Sequence, residues 1–265
     1  MIKLVCTDVD GTLVKDGTPD LNPDYFEEIK RITEKGIRFI VASGRPYSSV
    51  RNMFGPVLPF IDIIFDNGAG IILDGEPVSI KNIDRKISMK IIKEIEAMPD
   101  CHTYVSARKK GYVDKSADKL YDWLVHGYHI DMQYIEKMPE DLPEDDIMCI
   151  EMYHPVDAER QAKQGFYQKW SEGYNLILNC AGKEWMHINR ADANKGSALK
   201  FLKDRLGISS GEIMVFGDNM NDIGMLKEGT YSYAVANARD EVKQAAAYTA
   251  PANTEDGVLQ VIRTL

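Results

Sequence analysis

Short apolar runs alternate with helix-spaced apolar residues at both ends of this chain, and the alternation lapses between them. Ile2 to Thr7 reads as a buried strand. Asn22-Pro23 opens a helix, with Asn22 as its cap and Pro23 in its first turn. Phe26, Ile29 and Ile32 then recur at helical spacing, and Gly36 stands where a left-handed C-terminal cap belongs. Arg38 to Ser43 and Ile61 to Phe65 are predicted strands flanking a helix over Tyr47 to Phe54, and Asp74-Gly75 is a tight hairpin turn. The last third repeats the order. It has a helix over Asn194 to Leu206 closed by Gly207, a strand at Ile213 to Phe216, and a helix at Asp222 to Leu226. A strand at Tyr231 to Ala236, a helix at Arg239 to Ala246 and a closing helix follow. Such an order calls for a parallel sheet covered by helices on both faces, an α/β, Rossmann-like core.

The middle follows another pattern. A helix through Ile87, Ile91, Ile92 and Ile95 precedes strand-like runs around Gly111. A helix over Val156 to Ser171 precedes strand-like runs around Ala181-Gly182, and the acidic stretch Pro139 to Asp146 reads as a loop. Strands joined by tight turns predict an antiparallel sheet with helices on one face. The expected organisation is therefore a core from residues 1–81 and 187–265, with an inserted α+β cap domain at 82–186. A chain of 265 residues has room for both.

The formal charge of −9 argues against the basic face that a nucleic-acid backbone requires, so no nucleic acid is expected as partner. Cys6, Cys101, Cys149 and Cys180 are scattered, which argues against a disulfide scaffold or a cysteine-rich zinc site and for a cytoplasmic location. The apolar start meets Asp8 and Asp10 too soon for a secretory signal, and no window is long enough to span a membrane.

Four places carry chemistry. Asp8-Val9-Asp10-Gly11-Thr12 directly follows the first strand, and ligands of parallel sheets bind beyond such strand ends. Two carboxylates there repel unless a cation or proton separates them. The alternative is an ordinary acidic turn. Gly217-Asp218-Asn219-Met220-Asn221-Asp222 follows another strand, although Asp222 also suits a helix start. Ser43-Gly44-Arg45-Pro46 offers a hydroxyl and loop amides for a phosphate oxygen, or a simple turn and cap. Lys195 begins a helix, where the dipole disfavours a cation unless an anion is near; a solvated surface Lys is the other reading. Together the four supply carboxylates for a hard cation and donors for an anion, a phosphoryl-transfer constellation.

With these residues in place, the sequence resembles the haloacid dehalogenase superfamily of phosphatases, in its Cof-type branch with a large α/β cap. The resemblance rests on Asp8 to Leu13, Ser43 to Arg45, Asn67-Gly68-Ala69, Lys195-Gly196, Gly217 to Asp222 and the tail from Asn237 to Val258. It covers the core and the position of the insertion; the cap matches in layout only. The resemblance implies Asp8 as nucleophile and Asp10 as acid and base. It implies Mg²⁺ held by Asp8, Asp218 and the Asp10 backbone carbonyl, with Asp222 and Thr12 in support. Ser43, Gly44, Lys195 and Asn221 would bind the phosphoryl oxygens.

The expected activity is Mg²⁺-dependent hydrolysis of a small phosphorylated metabolite such as a sugar phosphate, through an aspartyl phosphate. The cap would act as a lid, and the protein as a monomer or small homo-oligomer. Phosphoglycolate hydrolysis, a sugar phosphomutase and a non-catalytic phosphometabolite-binding protein are the alternatives. No P-loop or dinucleotide fingerprint is present. His126 and His129 read as cap surface, Arg108-Lys109-Lys110 as a solvated hairpin tip, and Trp123, Trp170 and Trp185 as cap core.

Overall fold

The computed structural model describes residues 1–265 other than Asp16, Gln164 and Gly182. The first part of the core runs β1 (Leu4–Thr7), α1 (Asp24–Glu34), β2 (Arg38–Ala42), α2 (Tyr47–Met53), β3 (Ile61–Phe65), β4 (Gly70–Leu73) and β5 (Glu76–Ile80). The inserted part runs α3 (Arg85–Glu96), β6 (His102–Ala107), β7 (Gly111–Asp114), α4 (Asp118–Tyr128), β8 (Met132–Ile135) and β9 (Ile147–Tyr153). It continues with α5 (Ala158–Ala162), α6 (Phe166–Ser171), β10 (Leu176–Ala181) and β11 (Trp185–Arg190). The core resumes with α7 (Lys195–Leu206), β12 (Ile213–Gly217), α8 (Ile223–Leu226), β13 (Tyr231–Val235), α9 (Asp240–Ala245), β14 (Tyr248–Ala250) and α10 (Gly257–Ile262).

One compact unit holds Met1–Ser79 and Asn194–Leu265, the other Ile80–Ala193. The second limit therefore falls at 193, seven residues beyond the expected 186. The reason is β11, whose residues Trp185 to Ile188 pair with β9 while the whole strand pairs with β10. A cut at Met186 would divide β11 and break both ladders.

In the first unit the sheet order is β14-β13-β12-β1-β2-β3-β4-β5. Neighbours from β14 to β3 are parallel, and β4 turns back antiparallel to β3. The β4–β5 turn is the expected Asp74-Gly75, both with positive φ. Every residue of β1, β3 and β12 is buried, which requires cover on both faces of the sheet. α1 packs with α10, while α7, α8 and α9 form a second group. α1 starts one residue later than the Asn22 reading: Pro23 is its cap residue, and Asn22 Oδ1 accepts from the Asp24 amide.

The second unit has the sheet order β10-β11-β9-β6-β7-β8, antiparallel except for β7 and β8. One face carries Val105, Ile150, Met152, Met186 and Ile188 into a core with Ile91, Ile95, Phe166 and Trp170. The predicted helix over Val156 to Ser171 is two helices, α5 and α6, because Gly165 takes a left-handed conformation between them (φ 99°). Gly182, one residue of the predicted second turn, lies outside the described residues. Trp170 is core as expected, whereas Trp123 is 41% exposed and stacks on Trp185. His126, His129 and Arg108 to Lys110 are exposed as read. Among the described residues no helix is long and apolar enough to cross a membrane.

Candidate active site

β12, β1, β2 and β3 are parallel neighbours, so the loops that follow them open on one edge of the sheet. Those loops begin at Asp218, Asp8, Ser43 and Asp66. The Asp8 amide donates to Phe216 O (3.1 Å), carrying the β1–β12 ladder one residue past the strand. Gly11 then turns the chain at φ 80°, and a Cβ there would lie 2.3 Å from Asp218 Oδ2. Only glycine satisfies both the conformation and the approach. Thr12 Oγ1 donates to Asp218 Oδ1 (3.0 Å). From the loop after β13, Asn237 Nδ2 donates to Gly11 O (2.7 Å) and the Arg239 amide to Asp218 O (3.1 Å).

Lys195 arrives from the far end of the sequence as the first residue of α7. Asn194 caps that helix, its Oδ1 accepting from the Ser197 amide (2.8 Å). Gly196 lets the helix start press on the backbone of Gly224, where a Cβ would be 2.6 Å from the Gly224 carbonyl carbon. The Lys195 side chain is 1% exposed, and its Nζ donates to Asp8 Oδ1 (2.5 Å) and Asp222 Oδ1 (2.7 Å). Asp222 Oδ2 accepts from the Asp218 and Asn219 amides (3.0 Å each). Both Asp222 oxygens are thus committed to holding the site together.

Oxygen atoms of Asp8, Asp218 and Asp222 lie within 4.8 Å of one another. Burial raises the Asp8 carboxyl well above its usual range, and the Asp222 charge adds to the effect. Asp218 is pushed up to about 6, first by burial and then by Asp222. Burial works against the Lys195 ammonium, but Asp222 and Asp8 outweigh it and keep it charged. Three carboxylates around one ammonium leave an excess of negative charge that a divalent cation would cancel. The donors are hard oxygens, and Asp8 and Asp218 are the carboxylates left to face it. The set fits Mg²⁺.

Asp10 stands apart from this trio. Its carboxylate is gripped by Arg45, Nε to Oδ2 and Nη2 to Oδ1, both at 2.7 Å. Arg45 is buried and also donates to Thr18 O (2.7 Å). The sequence reading took Arg45 as part of a turn and missed this partnership. The available signal was a guanidinium one strand away from an acidic pair. Ser43 Oγ accepts from the Arg45 amide (3.1 Å), so the turn-capping alternative for Ser43 is realised; this bond uses a lone pair and spares the hydroxyl proton.

Gly44 lies against the side chain of Asn67, and Asn221 Nδ2 donates to Asn67 Oδ1 (2.9 Å). Asn67, whose amide donates to Ser43 O (3.0 Å), therefore links the loops after β2, β3 and β12. It is the middle of a left-handed run, with φ 46° at Asp66, 54° at Asn67 and 98° at Gly68. Asp-Asn-Gly is a residue order that tolerates such a run.

A family model described as haloacid dehalogenase-like hydrolase matches residues 5–262. Among curated relatives, the chain is 25% identical to the 5-amino-6-(5-phospho-D-ribitylamino)uracil phosphatase YbjI of Escherichia coli strain K12, over 98% of this chain and 95% of that one. It is 24% identical to the phosphatase of the same description, YcsE, from Bacillus subtilis strain 168, over 99% and 95%. A crystal structure from Eubacterium rectale superposes with a TM-score of 0.88 at 33% identity, covering 99% of this chain and 98% of that one. By the extent of these matches and the order of its strands, this chain belongs to the haloacid dehalogenase-like hydrolases.

Proposed function

We propose that the protein is a Mg²⁺-dependent phosphatase of small phosphorylated metabolites, with Asp8 as nucleophile. The observation that carries this reading is the setting of Asp8: a buried carboxylate at a strand end, with the Lys195 ammonium 2.5 Å from one oxygen and Asp218 beside it. Bound Mg²⁺, held by Asp8, Asp218 and the Asp10 backbone carbonyl, would supply the positive charge that lets a phosphate dianion approach the carboxylates. An Asp8 oxygen forms the new bond to phosphorus as the bond to the alkoxide leaving group breaks, giving an aspartyl phosphate. Asp10 gives the leaving oxygen its proton, then takes a proton from the water that hydrolyses the intermediate.

The double grip of Arg45 on both Asp10 oxygens holds that side chain in position for the second half. For the first half, one Asp10 oxygen has to release Arg45 to carry a proton. Lys195, the Ser43 hydroxyl, the Gly44 amide and Asn221 hold the non-bridging oxygens. Asp222 positions Lys195, and Thr12 positions Asp218.

The two relatives named for a phosphorylated ribitylamino compound support a sugar or polyol phosphate as substrate class. The test is a phosphate-release screen over sugar phosphates, polyol phosphates, nucleotides and phosphoglycolate, with Mg²⁺ or EDTA. Turnover confined to the Mg²⁺ arm is expected. Metal-independent turnover, or none on any phosphomonoester, counts against the reading. Transfer back to the sugar instead of free phosphate would indicate a mutase.

Asp10→Asn should lower kcat/KM for an alkyl phosphate by about 10²–10⁴-fold. The loss should be smaller for p-nitrophenyl phosphate, whose leaving group departs without a proton. Equal losses on both would remove the acid role.

Asp218 predicts a stability effect. Its folded pKa of about 6 lies above the ordinary carboxylate value of 3.8, so between these the metal-free folded state holds more protons than the unfolded chain. Its contribution is full below about pH 4 and is lost as the pH rises to about 6. At pH 7 without metal, Asp218→Asn should therefore melt about 2–4 °C above wild type. Mg²⁺ should raise the wild-type melting temperature and leave the variant's nearly unchanged.

A further inference from the structure

The second unit carries its own polar cluster, far along the chain from the carboxylates described above. On β9, alternate residues Ile150 and Met152 enter the apolar core, so Cys149 and Glu151 face the other side of the sheet. Register places His187 of β11 opposite Glu151, and Tyr104 and Ser106 of β6 opposite Glu151 and Cys149. The result is two short rows across three strands, with a thiol, a carboxylate and an imidazole each offering an atom within 4.8 Å of the others. His187 Nδ1 is 3.3 Å from Glu151 Oε1, and Cys149 Sγ is 3.5 Å from Asn189 Oδ1. Cys149 and Glu151 are buried, while His187 keeps a partly exposed edge.

We propose that Cys149, Glu151 and His187 form a second metal site, suited to a borderline divalent ion such as Zn²⁺. Sulfur, nitrogen and one oxygen donor are the set that Zn²⁺ prefers and Mg²⁺ does not. A thiolate and a carboxylate carry two negative charges, which one divalent ion neutralises at a place where an isolated charge would be costly. Uptake releases the thiol proton to solvent. Ser106 Oγ supplies an independent indication. It is 0% exposed, has no hydrogen-bond partner among the described residues, and sits in register beside Cys149. Three protein ligands leave a fourth tetrahedral position for water, and the Ser106 hydroxyl is the group that such a water would satisfy.

The test is titration of the full-length protein with Co²⁺ in excess Mg²⁺, followed by displacement with Zn²⁺. The expected result is one equivalent of Co²⁺ with tetrahedral visible bands and a near-ultraviolet thiolate charge-transfer band, both bleached by Zn²⁺. Cys149→Ala should lose the charge-transfer band, while Cys180→Ser and Asp8→Asn retain it. His187→Gln, at the more exposed position, should weaken Zn²⁺ affinity by about 100-fold or more, at or beyond the upper end of what outer partners cost. It decides the matter if Cys149→Ala does not fold by circular dichroism. No thiolate band in the wild type, a band that survives Cys149→Ala, or unchanged affinity in His187→Gln overturns the proposal. None of these readouts depends on phosphatase activity.

Discussion

Replacing Asp8 by Asn should lower phosphate release by about 10⁴-fold or more while leaving the fold intact. The amide is nearly the same size, and its oxygen can still accept from Lys195 Nζ, so packing and that hydrogen bond are kept. The lost charge is one that burial and Asp222 already penalise. The metal-free variant should therefore melt no lower than wild type, and its circular dichroism should be unchanged. An amide is a far weaker nucleophile towards phosphorus, and it offers less to a cation. Trapping during turnover should show a phosphorylated Asp8 peptide in wild type and none in the variant. A residual rate above about one hundredth of wild type, free of contaminating phosphatase, would show that Asp8 does not attack.

The features that made Asp8 conspicuous also mark the limit of what sequence alone conveys. Carboxylates directly after an apolar run announce a strand end, and parallel strands bring their ends together; Asp8, Asp218 and Asp222 were legible for that reason. Lys195 was legible because a cation is out of place at a helix start. Arg45 was not, because a turn of small residues explains Ser43 and Gly44 without asking where a long side chain goes. Its partner, Asp10, lies 35 residues away on the neighbouring loop.

The inserted unit was read less completely. α4, β8, β9 and the break between α5 and α6 were missed. Antiparallel register across long connections is set by tertiary pairing. Hence Cys149, Glu151 and His187 carried no shared signal until β9 and β11 were seen side by side. Conversely, the limit of the core at Asn194 is physically sharp, since Asn194 caps α7 and the next residue, Lys195, enters the site.

Lys195→Met should be the most destabilising single change, and it should slow the reaction as well. The side chain is fully enclosed and is the cation that lies between Asp8 and Asp222. Removing it leaves buried carboxylates uncompensated, at a cost of about 3–5 kcal/mol in the metal-free protein at neutral pH. The sign of the pH dependence follows. Without the ammonium, the Asp8 and Asp218 carboxyl groups are raised still further, so the variant keeps its stability at low pH and loses it as the pH rises. Its deficit relative to wild type should therefore widen between about pH 5 and 8 in urea or thermal melts.

The rate should also fall by about 10²–10³-fold, the usual scale for losing one preorganised donor to a developing charge. The two effects can be separated with Lys195→Met/Asp222→Asn. Neutralising Asp222 removes the repulsion, so most of the stability should return. Activity should stay low, because no ammonium then meets the phosphoryl oxygens. If the double variant instead regains both stability and rate, Lys195 serves only to balance Asp222, and a different group must receive the phosphate.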